Sequence, residues 1–248
     1  MGRYSGIKGK LRWARDLAVM DRVEITLYGD AAAWAMYEDV TARHPKLKLV
    51  SIGSFGPSLV RLTGWNGSYL QGGAFADARR KARRAENGGY VVRPIRANAY
   101  REEILAINRS TPRRQGQAMK PESQTHEGIA ESLGDRQGNG VFDREGRLRG
   151  YILWIDAGEL IMLRGLMGHA DSLRDGIMYL LFAETIRQAI EAAEQGSDAR
   201  FMQYTLHHRQ GDGMRRFKHE LGFQPYLVAW RWRGERRSRM TGSMPSAA

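Results

Sequence analysis

From residue 90 to residue 232 the chain switches repeatedly between strand-like and helix-like periodicity, and the order of those switches admits few folds. Residues 90–95 (YVVRPI) read as a strand, and 99–108 as a helix with Ile104, Leu105 and Ile107 on its apolar side. A polar loop, 109–120, and a short helix, 127–133, follow. Residues 140–143 and 148–155 read as a hairpin turning at Arg144-Glu145-Gly146. Residues 159–168 form a further strand. The longest pattern, 175–195, sets Ile177, Leu180, Leu181, Ile186, Ile190 and Ala193 near one helical face. Strand 201–206, helix 213–221 closed by Gly222, and strand 226–232 complete the series.

The first ninety residues are less regular. Residues 1–20 read as an amphipathic lead-in and 23–28 (VEITLY) as a strand. Residues 31–43 read as a helix, 47–52 and 58–62 as short strands, and 74–87 as a helix ending at Gly88-Gly89, where glycine suits a helix end. Beyond Trp232 the chain is basic and then rich in Ser, Gly, Pro and Ala, which predicts a disordered tail. The expected organisation is a basic N-terminal α/β subdomain at 1–89, a main domain at 90–232 and a tail at 233–248.

Charge is distributed just as unevenly. The formal net charge of the 248 residues is +12. Residues 1–90 hold 15 Lys and Arg against 8 Asp and Glu, whereas 91–232 hold 20 against 18. The densest run is Arg79, Arg80, Lys81, Arg83, Arg84. Arginine forks suit phosphate, so this run is the candidate nucleic-acid contact. The absence of Cys excludes disulfides, thiolate ligands and a Cys nucleophile. No carboxylate–His spacing suggests a metal site. No run of 18 apolar residues suggests a membrane span. The first ten residues lack the apolar stretch of a signal peptide, so a cytoplasmic location is expected.

The element order over 90–232 resembles the GNAT acyltransferase fold. The closing passage RFMQYTLHHRQGDGMRRFKHELGFQPYLVAWRW, a strand, a helix ending in ELGF and a last strand, is its most telling part. The resemblance implies an α+β protein: a mixed, mostly antiparallel sheet with flanking helices, here with an additional N-terminal α/β segment. Two stretches, ARRKARRAENGGYVVRPI and GMRRFKHELGF, are similar to segments of Fem-type aminoacyltransferases, which use aminoacyl-tRNA to acylate an amine. CoA-dependent GNAT enzymes carry a Gln/Arg-x-x-Gly-x-Gly/Ala loop whose backbone N–H groups hold pyrophosphate at a helix N-terminus. The matching stretch here, 168–178, fits that pattern in neither register, because Gly176 is the one glycine near the helix start. Asp171 and Asp175 would repel a pyrophosphate.

The resemblance therefore implies an aminoacyl-tRNA-dependent acyltransferase that forms an amide on a small amine, with tRNA as partner and no cofactor. The alternatives are an acyl-CoA-dependent GNAT N-acyltransferase and a non-catalytic nucleic-acid-binding module. Lys218, following Phe217 in the Fem-like segment, is the candidate cation for the developing oxyanion. In a GNAT fold His169 and His207 would end two strands that splay apart, and a neutral imidazole there could take the amine proton; His208 adjoins them. The loop residues Asn108, Ser110, Arg114 and Gln115, with Tyr204, are the candidate substrate-binding groups.

Overall fold

A computed structural model describes residues 20–43, 51–114, 117–207 and 211–234. Strand β1 (Asp21–Leu27) leads into α1 (Ala31–Thr41). Helix α1 starts at Asp30, whose carboxylate accepts from Ala32 N and Ala33 N at 3.0 and 3.1 Å and so caps two orphan donors. Strand β2 (Phe55–Arg61) and α2 (Ala76–Asn87) follow, then β3 (Val91–Arg96), α3 (Arg101–Arg109) and a two-residue hairpin, β4 (Arg113–Arg114) and β5 (Gln117–Ala118). Helix α4 (His126–Leu133) precedes β6 (Gln137–Phe142), β7 (Leu148–Ala157) and β8 (Leu160–Gly168). Helix α5 (Ile177–Glu194), β9 (Phe201–Leu206), α6 (Asp212–Glu220) and β10 (Gln224–Trp232) complete the described elements.

Eight strands form one sheet in the order β1-β10-β2-β9-β8-β7-β6-β3. All neighbours are antiparallel except β1 with β10 and β8 with β9. The fold is thus the mixed, mostly antiparallel α+β sheet with flanking helices that the sequence predicts. The boundary expected at 89/90 does not divide the sheet, however. Strand β2 is hydrogen bonded on both sides to strands from the C-terminal part, and β1 adds to the edge beyond β10. The expected strand at 47–52 lies mostly outside the described residues; Ile52–Ser54 form a 3₁₀ turn.

Alternation along the strands builds a core on each face. On one face, Ile161 and Leu163 of β8 and Met202 and Tyr204 of β9 pack against α5 and α2. On the other, Leu160, Met162 and Phe201 meet α1, and Tyr151 and Leu153 meet α3 and α4. Helix α2 buries Ala78, Ala82 and Ala85, an i, i+4, i+7 stripe narrow enough for close approach to α5. The fit is close at Gly176, where an added Cβ would lie 2.4 Å from the Lys81 carbonyl oxygen. Gly176 also has φ +90°, so glycine is required twice over. The Gly88-Gly89 end of α2 forms as expected, with Gly88 N donating to Arg84 O at 3.0 Å and Gly89 at φ +85°.

Candidate functional site

Strands β8 and β9 are parallel neighbours at only three pairs, Leu160 with Phe201, Ile161 with Met202 and Met162 with Gln203. Beyond the Met162–Gln203 pair, β8 runs on to Gly168 and β9 to Leu206 without pairing to each other. The split opens a cleft of about 540 Å³. Leu166, Met167 and Gly168 form its β8 wall, and Met178, Tyr179 and Phe182 its α5 wall. Tyr204 ends it on β9, and Met214 and Phe217 close it from α6. Arg114, Met167, Gly213 and Met214 also border a wider opening of about 1040 Å³, which reaches Lys120, Thr205 and Leu206.

Lys218 is fully enclosed at the β9 side of this split. Its Nζ donates to Thr205 Oγ1 at 2.8 Å, Leu206 O at 3.2 Å and Ser58 Oγ at 3.3 Å, and it stands 4.8 Å from the centre of the Tyr204 ring. No described carboxylate pairs with it, and burial lowers its pKa to about 7. Lys218 itself borders neither opening, but Thr205, whose hydroxyl it contacts, borders the wider one. Thr205 holds φ +50°, a left-handed conformation costly for a β-branched residue, and this bend delivers its Oγ1 to Lys218. His207 Nδ1 lies 3.4 Å from Ser58 Oγ, so His207, Ser58, Lys218 and Thr205 form a contiguous polar chain.

His169 ends β8 as expected, but it does not line the cleft; its neighbours Gly168 and Ala170 do. Its Nδ1 accepts from Arg149 Nη2 at 3.1 Å. Burial, then the Arg149 charge, lower its pKa, which outweighs the pull of Asp171, so the ring stays neutral at ordinary pH.

The loop residues divide. Arg114 lines both parts of the opening, and its Nη2 donates to Ser110 Oγ at 3.1 Å and Ile107 O at 3.3 Å. Its Nε is buried without a hydrogen-bond partner, and none of the described carboxylates pairs with it. Ser110 also accepts from Ala170 N at 3.0 Å, which ties the loop to the end of β8. Asn108 faces inward instead: it accepts from Tyr151 Oη at 2.9 Å and donates to Ser123 O at 2.8 Å. It therefore orders the loop and borders neither opening. Tyr204 is buried apart from its cleft edge, which pushes its pKa up to about 12. Gln115 and His208 lie outside the described residues.

The basic run on α2 also divides. Arg80, Arg83 and Arg84 are exposed and, with the half-buried Arg79, border a shallow groove. Arg79 is partly committed, donating to Leu70 O and, at 2.7 Å, to Gly72 O. Lys81 departs from the rest of the run. It turns inward, with Nζ 2.8 Å from Tyr179 Oη and 2.9 Å from Glu220 Oε2, because its position lies beside the alanine stripe that meets α5. Ser58, Thr205, Arg149 and the cleft methionines are not evident in the sequence. Residues brought together from distant strands leave no local signal. Among the described residues no His, Asp or Glu cluster could hold a metal ion, and no helix is long and apolar enough to cross a membrane.

No protein-family profile matches the chain, and no curated protein matches it in sequence. Solved structures do. L-PGS from Bacillus licheniformis matches at TM-score 0.50 and 14% identity, over 69% of this chain and 58% of that one. The C-terminal DUF2156 domain of an Agrobacterium fabrum protein, named for lysylphosphatidylglycerol synthetase, matches at TM-score 0.48 and 14% identity, over the same shares. A tandem GNAT protein from the clavulanic acid biosynthesis pathway matches at TM-score 0.45 and 14% identity, over 91% of this chain and 68% of that one. The chain thus spans 58% of the first two neighbours. At such identities the likeness shows the fold alone.

Proposed function

We propose that this protein is an acyltransferase that moves an aminoacyl group from aminoacyl-tRNA to an amine acceptor. The amine nitrogen attacks the ester carbonyl carbon, a C–N bond forms, the ester C–O bond breaks, and the amine proton passes to the departing ribose oxygen. The observation that carries this reading is Lys218. A lysine enclosed without a described carboxylate, at the point where β8 and β9 part, is costly to stability; titrating near pH 7, it would in its protonated form lend positive potential to an oxyanion developing beside Thr205. Thr205 is the group through which that potential would reach the cleft. The Ser58–His207 pair offers the lysine a route for proton exchange.

Two further features favour tRNA over CoA as donor. The loop before α5 is a 3₁₀ turn, Ala170–Asp175, carrying Asp171 and Asp175, and Asp175 is engaged by Tyr90 Oη at 2.9 Å. The arginines of α2 form a surface suited to a phosphate backbone. The test is transfer of a radiolabelled amino acid from charged tRNA to a panel of amines, with phosphatidylglycerol vesicles alongside as a hydroxyl acceptor. Acetyl-CoA serves as competing donor. Labelled amide from tRNA supports the proposal. Transfer to the lipid alone would replace the amine acceptor by a hydroxyl. Transfer from acetyl-CoA alone would replace the proposal with an acyl-CoA N-acyltransferase, and tRNA binding without any transfer would replace it with a binding module.

A further inference from the structure

We propose that the split between β8 and β9 selects an uncharged, apolar acyl side chain and rejects cationic ones. The proposal rests on the transferase reading and narrows it to a substrate class. The inner walls are apolar: Leu166, Met167, Met178, Phe182, Met214 and Phe217. Phe182 and Phe217 meet edge to face at 5.1 Å, so the floor is a packed aromatic surface, and the Tyr179 hydroxyl beside it is already held by Lys81 and Glu220. Gly168 lets the β8 wall close tightly on α5, since a Cβ there would come within 2.8 Å of both Met178 Sδ and Leu173 Cδ2.

Charge decides the selectivity. The charged side chains bordering the cleft and its opening are Arg113, Arg114 and Lys120, and no Asp or Glu borders either among the described residues. A lysyl or arginyl side chain entering here would leave water, find no counterion and approach the guanidinium of Arg114. Both the desolvation and the like-charge approach disfavour it. Size is a weaker filter. Met167, Met178 and Met214 are unbranched and adaptable, so leucyl, methionyl and phenylalanyl groups can be accommodated by rotamer changes. The volume, about 540 Å³, lies within the usual range of small-ligand sites.

The shared chemistry is an apolar acyl chain, whether carried by tRNA or by CoA, and titration calorimetry on the full chain separates the two carriers. The first probe set is the non-hydrolysable 3′-aminoacylamino-3′-deoxyadenosines bearing leucyl, phenylalanyl and lysyl groups. The second is hexanoyl-CoA against 6-aminohexanoyl-CoA, which differ by one terminal ammonium. We expect leucyl and phenylalanyl probes to bind at least about tenfold more tightly than the lysyl probe. Met178→Glu should reduce that preference by about tenfold, because it places a carboxylate on the wall. Met214→Glu, on the opposite wall, provides a second variant should the first fail to fold. Lysyl binding equal to leucyl binding overturns the proposal and leaves the transferase reading intact. Binding of the CoA pair alone, with hexanoyl preferred, upholds the selection and overturns the tRNA donor. Binding of neither set overturns both.

Discussion

Replacing Lys218 with Met should change how stability depends on pH more than it changes stability at neutral pH. Burial takes the amine from an ordinary 10.5 to about 7. Each tenfold loss of proton affinity corresponds to about 1.4 kcal/mol, so charging Lys218 in the folded state costs on the order of 5 kcal/mol. The sign follows from which state binds the proton first. Between pH 10.5 and about 7 the unfolded chain is protonated and the folded one is not, so wild-type stability falls as pH falls through that window and levels off below it. Methionine keeps most of the stem's packing and removes the titration. It also removes the hydrogen bonds to Ser58, Thr205 and Leu206, worth about 1 kcal/mol each. At pH 7 the two effects largely cancel, and the variant should lie within about 2 kcal/mol of wild type. At pH 10 the charging cost has shrunk to about 1 kcal/mol, and the wild type should be the more stable by about 2 kcal/mol. Urea unfolding of both proteins at pH 7, 8, 9 and 10 measures the difference, and all other titrating groups are common to the pair. A difference that stays constant across this range would refute the reasoning, because it would mean that the folded lysine keeps its ordinary proton affinity.

Three other substitutions test the geometry. Gly176→Ala should destabilise by about 2–4 kcal/mol in denaturant unfolding, because φ +90° and the Lys81 carbonyl both oppose a Cβ; a change below about 0.5 kcal/mol would mean that α2 does not press on this point. Replacing Arg79, Arg80, Arg83 and Arg84 together by Ala should weaken tRNA binding and flatten its salt dependence by about 0.7–0.9 in log–log slope for each phosphate no longer neutralised, with an unaltered filter-binding slope as the contrary result. Asn108→Ala should cost about 1–3 kcal/mol in thermal unfolding, since Tyr151 Oη and Ser123 O are left without their partner; a neutral outcome would show that water replaces the amide.

The elements are legible in the sequence and the pairing of the distant ones is not. The turn at Arg144–Gly146, the glycine end of α2 and the long α5 all rest on signals within a few residues, and each stands within about two residues of its expected place. The insertion of β2 between β9 and β10 depends on pairs such as Leu59 with Gln203 and Gln224, which periodicity does not encode. The same division holds at the site. The ends of β8 and β9 and the segment containing Lys218 can be found because each belongs to a recognisable element. The inward turn of Lys81 cannot, because its partners, Tyr179 and Glu220, are 98 and 139 residues away. Nor can the role of Thr205, because nothing in its neighbours announces a left-handed bend.

The position of β1 and β2 also sets a schedule for assembly. Asp21–Leu27 pairs with Tyr226–Trp232, near the far end of the chain, and Phe55–Arg61 pairs only with β9 and β10. On the ribosome, at about 5–20 residues per second, the first two strands therefore wait many seconds with unpaired backbone before their partners exist. Pairings this distant in sequence slow folding further. During that interval Ile25, Leu27, Leu59 and Val60, all fully enclosed in the finished sheet, remain available to other chains and to chaperones. Yield on expression should thus respond to chaperone supply and translation speed more strongly than the stability of the finished protein would suggest.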